Sequence, residues 1–132
     1  MMGNQMAIHE SAEDYLEKIL ILNERMGQVR SIDIANEMNY SKPSISVAMK
    51  KLRESGYIGV DRNGFITLKP AGREIAERIY ARHRILTQIL TGLGVSEKTA
   101  SEEACRIEHD LSDDTCSRLG RFYEQHRGCY DT

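Results

Sequence analysis

The chain has 132 residues, 40% hydrophobic and 29% charged, with a formal net charge of −2 at neutral pH. These totals fit one or two small domains with a modest core and exclude a disordered chain. No apolar run approaches the roughly 20 residues of a membrane helix, and the first residues lack a signal-peptide core. Three cysteines (Cys105, Cys116, Cys129) with no C-x-x-C pair argue against a disulfide framework, so a cytoplasmic protein with no membrane association is expected.

Residues 1–8 carry no clear period and read as loosely ordered. Ser11 then offers an N-cap, and Ala12, Tyr15, Leu16, Ile19, Leu20 and Leu22 follow the spacing of an amphipathic helix ending near Gly27. The plainer role of Asp14, three residues after Ser11, is a capping-box carboxylate, and that of Glu17 an exposed helix residue. Ser31 caps a short helix, 32–38, with Ile34, Ala35 and Met38 inward. After the turn Asn39-Tyr40-Ser41 comes a third helix, 42–55, capped by Ser41, with Pro43 in its first turn and Ile45, Ala48, Met49 and Leu52 inward. This third helix carries Lys42, Lys50, Lys51 and Arg53 with no acid before Glu54, which suits an anionic partner. Two short helices joined by a tight turn, the second basic outside, have the form of a helix-turn-helix.

Gly56 stops that helix, and 57–60 and 65–68 read as two strands around Asp61-Arg62-Asn63-Gly64, a hairpin signal. Three helices followed by a hairpin are the winged-helix order. Residues 1–73 are therefore expected to form a winged helix-turn-helix DNA-binding domain. Lys42, Pro43, Ser44, Ser46 and Val47 should reach base edges of double-stranded DNA. Lys50 and Lys51 should meet phosphate, and Arg62, at the wing tip, phosphate or the minor groove.

Lys69-Pro70 opens a fourth helix running to about Thr91, with Ile75, Ile79, Leu86 and Leu90 in a stripe on which His83 also falls. Ser96 caps a fifth, 97–111, with Ala100, Ala104, Ile107 and Leu111 as its core stripe. Ser112 caps a last helix, Asp113 to about His126, and the tail from Arg127 is expected to fray. The fold class is thus mainly α with a small β-hairpin wing. Residues 74–132 form an all-α domain too thin to bury every apolar stripe alone, and are expected to make a homodimer.

The stretch from Glu97 to Asp114 holds seven acidic residues against two basic ones, which suits a cation. Within it, on an ideal helix, Glu108 lies about 60° behind Cys105 and His109 about 40° ahead, so a thiol, a carboxylate and an imidazole share one face. These are metal-ligand types. Asp14, Glu17 and His83 are further polar residues of ligand type, each with a structural alternative: a cap, a solvated helix face, a core histidine.

Four stretches together resemble the metal-dependent repressors of the diphtheria toxin repressor and manganese transport regulator family. They are Glu13-Asp14-Tyr15-Leu16-Glu17, Ser41-Lys42-Pro43-Ser44, Arg82-His83-Arg84 and the run from Glu103 to Ser112. The resemblance covers roughly residues 9–126 and implies a homodimeric repressor that binds twofold operator DNA when Mn(II) or Fe(II) is plentiful. It implies a metal site of Asp14, Glu17, His83, Cys105, Glu108 and His109. Asp14 and Glu17 look like the manganese branch of the family and Cys105 like the iron branch. Thr87 and Ser101 stand where the iron branch has further ligands, and one or two ions per subunit both stay open. Zn(II) or Co(II) would also suit such donors in vitro. The main rival is a winged-helix transcription regulator responding to a non-metal signal. A hydrolase is disfavoured, since no H-E-x-x-H motif or nucleophile elbow is present, and no enzyme activity is expected.

Overall fold

The computed structural model describes residues 2–130, with side chains over 12–126. Among them are α1 (Met2–Met26), α2 (Ser31–Met38), α3 (Lys42–Glu54), β1 (Ile58–Val60), β2 (Ile66–Leu68), α4 (Pro70–Gly92), α5 (Glu97–Ile107) and α6 (Asp113–Tyr130). The mainly helical class with a two-stranded wing is as expected. The chain divides into two compact units, Met1–Arg78 and Ile79–Thr132. No helix of the described residues is long and apolar enough to cross a membrane.

In the first unit α1 buries Leu16, Ile19, Leu20 and Leu22, the spacing read from the sequence. It begins at Met2, however, and not at Ser11. Residues 2–10 contain no proline, and their Met, Gln, Ala and Glu favour helix, so nothing stops propagation toward the N-terminus. Ser11 is therefore interior and Asp14 is not a capping residue; Met1 lies outside the described residues. Gly27, at φ +84°, ends the helix, because only glycine adopts that conformation without strain. Val29, fully buried, then accepts a hydrogen bond from the Ile66 N–H at 2.7 Å and bridges to the hairpin edge, a pairing that the sequence reading did not foresee.

The start of α2 is shifted by one residue from the expected Ser31 cap: Arg30 is the N-cap, and the Asp33 carboxylate accepts its N–H at 2.9 Å. Asn39, left-handed at φ 59°, ends α2, a role its short polar side chain tolerates. Ser41 does cap α3: its hydroxyl accepts the Ser44 N–H at 3.3 Å. Ile45, Met49 and Leu52 fill the core beneath. Ser41→Ala is expected to cost about 1 kcal/mol, read as a lower urea midpoint with an unchanged slope.

The strands pair antiparallel, Ile58 with Leu68, Gly59 with Thr67 and Val60 with Ile66. Asn63 and Gly64 do not form a two-residue turn by themselves. The Asp61 carbonyl accepts from the Gly64 N–H at 3.0 Å, and the Asp61 N–H donates to the Phe65 carbonyl at 3.1 Å. Gly64 takes φ +83° while Asn63 stays at negative φ. The result is a tight turn followed by a left-handed glycine, a common three-residue hairpin loop. The Asp61 carboxylate locks it by accepting the N–H groups of Asn63 and Phe65, each at 2.9 Å. Where α4 begins, the Lys69 N–H donates to the Tyr57 carbonyl at 2.9 Å. Gly72 passes that same carbonyl so closely that a Cβ there would stand 2.1 Å from its oxygen.

In the second unit, Ile79 and Leu86 of α4, Ala100 and Ala104 of α5, and Cys116 of α6 are buried. Ser96 and Ser112 cap their helices by accepting the N–H groups of Thr99 and Thr115. The single helix expected over 97–111 is shorter: α5 ends at Ile107, Glu108 is its C-cap, and 108–110 form a turn. α6 extends past the expected end to Tyr130; 131 and 132 lie outside the described residues.

Candidate metal centre and nucleic-acid interface

His83 stands on the α4 stripe, four residues after Ile79 and three before Leu86, so helical spacing turns it inward. Cys105 and Glu108 end α5 one turn apart. The Glu108 N–H still donates to the Ala104 carbonyl at 3.0 Å, so the i, i+3 alignment with Cys105 survives although the helix has ended. Ligand atoms of His83, Cys105 and Glu108 all lie within 4.8 Å of one another. His83 Nδ1 is 3.0 Å from Glu108 Oε2, and His83 Nε2 is 3.3 Å from Ser101 Oγ. On its other side Glu108 Oε1 lies 3.6 Å from His109 Nε2. The Glu108 side chain is 0% exposed and that of His83 16%.

A carboxylate taken wholly out of water is costly unless cationic or hydrogen-bonding groups surround it. Glu108 has an imidazole on each oxygen, an arrangement that suits a shared positive charge. A thiol, an imidazole and a buried carboxylate at this separation form a donor set for a divalent transition metal. The chemistry of the residues therefore fits a metal. His109 falls in the turn and not on the helix assumed in the sequence reading, yet it stays beside Glu108. Cys116, buried on α6, lies outside this group of donors, and burial pushes its thiol up.

In the first unit Asp14 and Glu17 occupy successive turns of α1. Asp14 is half-buried, and Glu17 is 1% exposed, so of its two readings the solvated helix face does not hold. The same unit presents the candidate DNA contacts. Lys42, Pro43, Ser46, Val47, Lys50 and Lys51 are exposed on α3, opposite the buried Ile45, Met49 and Leu52. Val47 is 55% exposed, an apolar side chain facing water on a recognition-type helix. Ser44 is exposed as well, but its hydroxyl accepts from that of Ser41 at 2.9 Å, so it also serves the cap. Arg62 is exposed at the wing tip. Arg30 lies over the Phe65 ring, 4.4 Å from its centroid, at the base of the wing, a cation the sequence reading did not single out.

Two family descriptions match the chain: the iron dependent repressor N-terminal DNA binding domain over residues 7–64, and the iron dependent repressor metal binding and dimerisation domain over 69–131. An uncharacterised HTH-type transcriptional regulator of Methanocaldococcus jannaschii is 38% identical over 118 residues, covering 88% of this chain and 94% of that protein. The chain belongs to the iron-dependent repressor family. The HTH-type transcriptional regulator MntR of Geobacillus kaustophilus is 36% identical, with 83% of this chain and 78% of MntR covered. Among solved structures, the manganese regulator SloR superposes with a TM-score of 0.76 at 32% identity, covering 86% of this chain. The alignment spans 53% of the SloR chain, so the present chain matches about half of that protein's length. As a member of this family the chain is a metal-dependent transcriptional regulator and not an enzyme.

Within the repressor's second unit, Arg82 is the residue that shapes the ligand turn, and the sequence reading gave it no role. Its guanidinium donates to the carbonyls of Glu108 and Leu111, each at 2.9 Å, and to the Asp113 carboxylate. Its side chain is 11% exposed. One planar fork thus satisfies the open carbonyls after α5 and reaches the first turn of α6, work a lysine's single ammonium does less well. Arg82 follows Ile79 by three residues and precedes Leu86 by four, so the stripe that turns His83 inward turns Arg82 inward too. That spacing was the available signal. Arg82→Ala is expected to cost about 1.5–3 kcal/mol, the range for hydrogen bonds made by a charged group, visible as a lower melting temperature of the metal-free protein.

Proposed function

We propose that the protein is a metal-activated repressor that binds a twofold operator as a homodimer and governs Mn(II) or Fe(II) homeostasis. The convergence of His83 and Cys105 on the fully buried Glu108 carries the reading. Asp14, Glu17 and His109 are carried forward from the sequence as further donors. Mn(II) is favoured by the names of the relatives, MntR and the manganese regulator SloR, and by the carboxylate-rich donor set. Cys105 draws the set toward Fe(II) and, in vitro, toward Co(II) and Zn(II).

When bound, an ion would supply the positive charge that lets the Glu108 carboxylate and a Cys105 thiolate share one small space. Cys105 must give up its proton for this, and His83 must present a bare nitrogen. Arg82 holds the turn that presents Glu108. On the DNA side, Lys42, Pro43, Ser44, Ser46 and Val47 face bases, while Lys50, Lys51 and Arg62 meet phosphates. Metal and operator then act on one equilibrium, and linkage requires each to tighten the other by the same factor.

The test begins with duplexes selected from a random pool by Mn(II)-loaded protein. Apo-protein is then titrated anaerobically with Mn(II) and Fe(II) while metal stoichiometry and affinity for the selected duplex are followed together. Tight binding that chelator abolishes is the expected result. Equal affinity with and without chelator would mean a winged-helix regulator of another signal.

A further inference from the structure

We infer that Ser101 is a positioning residue for the metal centre, holding the His83 ring so that Nδ1, and not Nε2, faces the donor cluster. The inference rests on the proposal that His83 is a ligand. On α4, His83 and Thr87 are one turn apart, and on α5 Ser101 and Cys105 are one turn apart, so each helix carries a ligand-type residue and a hydroxyl on one face. The two elements meet at the imidazole. Ser101 Oγ lies 3.3 Å from Nε2, while Nδ1 points to the opposite side, 3.0 Å from Glu108 Oε2.

An imidazole has two nitrogens, and the partner of one decides what the other does. An unrestrained ring can rotate and offer either nitrogen to an ion, which spreads the site over several geometries. With Nε2 engaged by Ser101, the ring is held in the orientation that sends Nδ1 toward Glu108. A hydroxyl is well suited because it both donates and accepts. It satisfies Nε2 whether or not that nitrogen carries the proton. Ser101 is half-buried and His83 is 16% exposed, so water competes little for the contact. Thr87 does not share this role. Its hydroxyl oxygen is buried and has no hydrogen-bond partner among the described residues, so of the two hydroxyls it is Ser101 that is tied to the ring.

Groups that orient a ligating histidine from behind are worth about 10–100-fold in metal affinity. The test uses the full-length protein with Ser101→Ala, Ser101→Thr and His83→Ala, titrated with Mn(II) and with Co(II). Affinity is followed by calorimetry and the Co(II) site by its visible spectrum. Ser101→Ala is expected to weaken both ions by about 10–100-fold and to alter the Co(II) bands, while Ser101→Thr, which keeps the hydroxyl, stays near wild type. Long-range proton–nitrogen correlation of the wild-type protein loaded with diamagnetic Zn(II) should show the His83 proton on Nε2. Unchanged affinity and spectrum in Ser101→Ala, or equal weakening in the Ala and Thr variants, overturns the positioning role. His83→Ala separates this from the underlying proposal. If it weakens binding while Ser101→Ala does not, only the role of Ser101 falls; if it too has no effect, His83 is not a ligand and both fall.

Discussion

Glu108→Gln is expected to abolish the thermal stabilisation that Mn(II) gives the wild-type protein while leaving the metal-free fold intact. The substitution keeps the shape of a side chain that is 0% exposed and removes its charge. A ligand present at 100 times its Kd stabilises by about 2.7 kcal/mol, or roughly 10 °C in melting temperature for a chain of this size. Loss of a buried carboxylate ligand should weaken the ion by at least about 100-fold, which cuts that gain to about 0.4 kcal/mol at the same concentration. Without metal, the variant should remain folded, because the amide keeps the side chain's shape and can still hydrogen-bond the imidazole of His83. Scanning calorimetry with and without Mn(II) separates the two effects. An undiminished Mn(II) shift in Glu108→Gln would remove Glu108 from the metal centre.

The largest effect on the fold itself is expected from Gly72→Ala. The added methyl would stand 2.1 Å from the Tyr57 carbonyl oxygen and 2.9 Å from its carbon, both backbone atoms that cannot swing away as a side chain would. The start of α4 must move off the hairpin, losing the bond from the Lys69 N–H to the same carbonyl. Overpacking of this kind costs about 3 kcal/mol or more. Gly27→Ala is the control: its Cβ would meet nothing within 4 Å, and only the left-handed backbone at φ +84° opposes it, a penalty of about 1–2 kcal/mol. Equilibrium urea unfolding of the two variants should therefore rank Gly72→Ala clearly below Gly27→Ala. The reverse order would contradict the close packing at Tyr57.

The apolar periods of α1, α3 and α4 and the serine caps at 41, 96 and 112 were legible because they are local: each depends on residues within one or two turns. What escaped the sequence reading was set from a distance. α5 stops at Ile107 because Arg82, far away along the chain, takes the carbonyls of Glu108 and Leu111. Val29 looks like loop until Ile66 pairs with it, and Glu17 looks solvated until the fold buries it. The error at Ser11 had the opposite cause. A good capping residue was present, but the residues before it favoured helix, so the cap was never used. For the candidate metal centre, residue types and helical spacing placed Cys105 and Glu108 on one face, while His83, as readily a core histidine by spacing alone, joined them through the family resemblance. Types and spacing could not supply Ser101, whose partner is a ring nitrogen on another helix.

The wing tip divides its labour in a way that bears on how this protein can vary. Asp61 and Gly64 make the shape, one through its carboxylate and the other through its backbone. Arg62 and Asn63, between them, are exposed and contribute little side-chain structure to the turn. Two adjacent positions are thus released from the demands of folding and held at a fixed height and angle by their neighbours. Substitution there changes what the tip presents without changing where it is presented, so new contacts can be tried at almost no cost in stability.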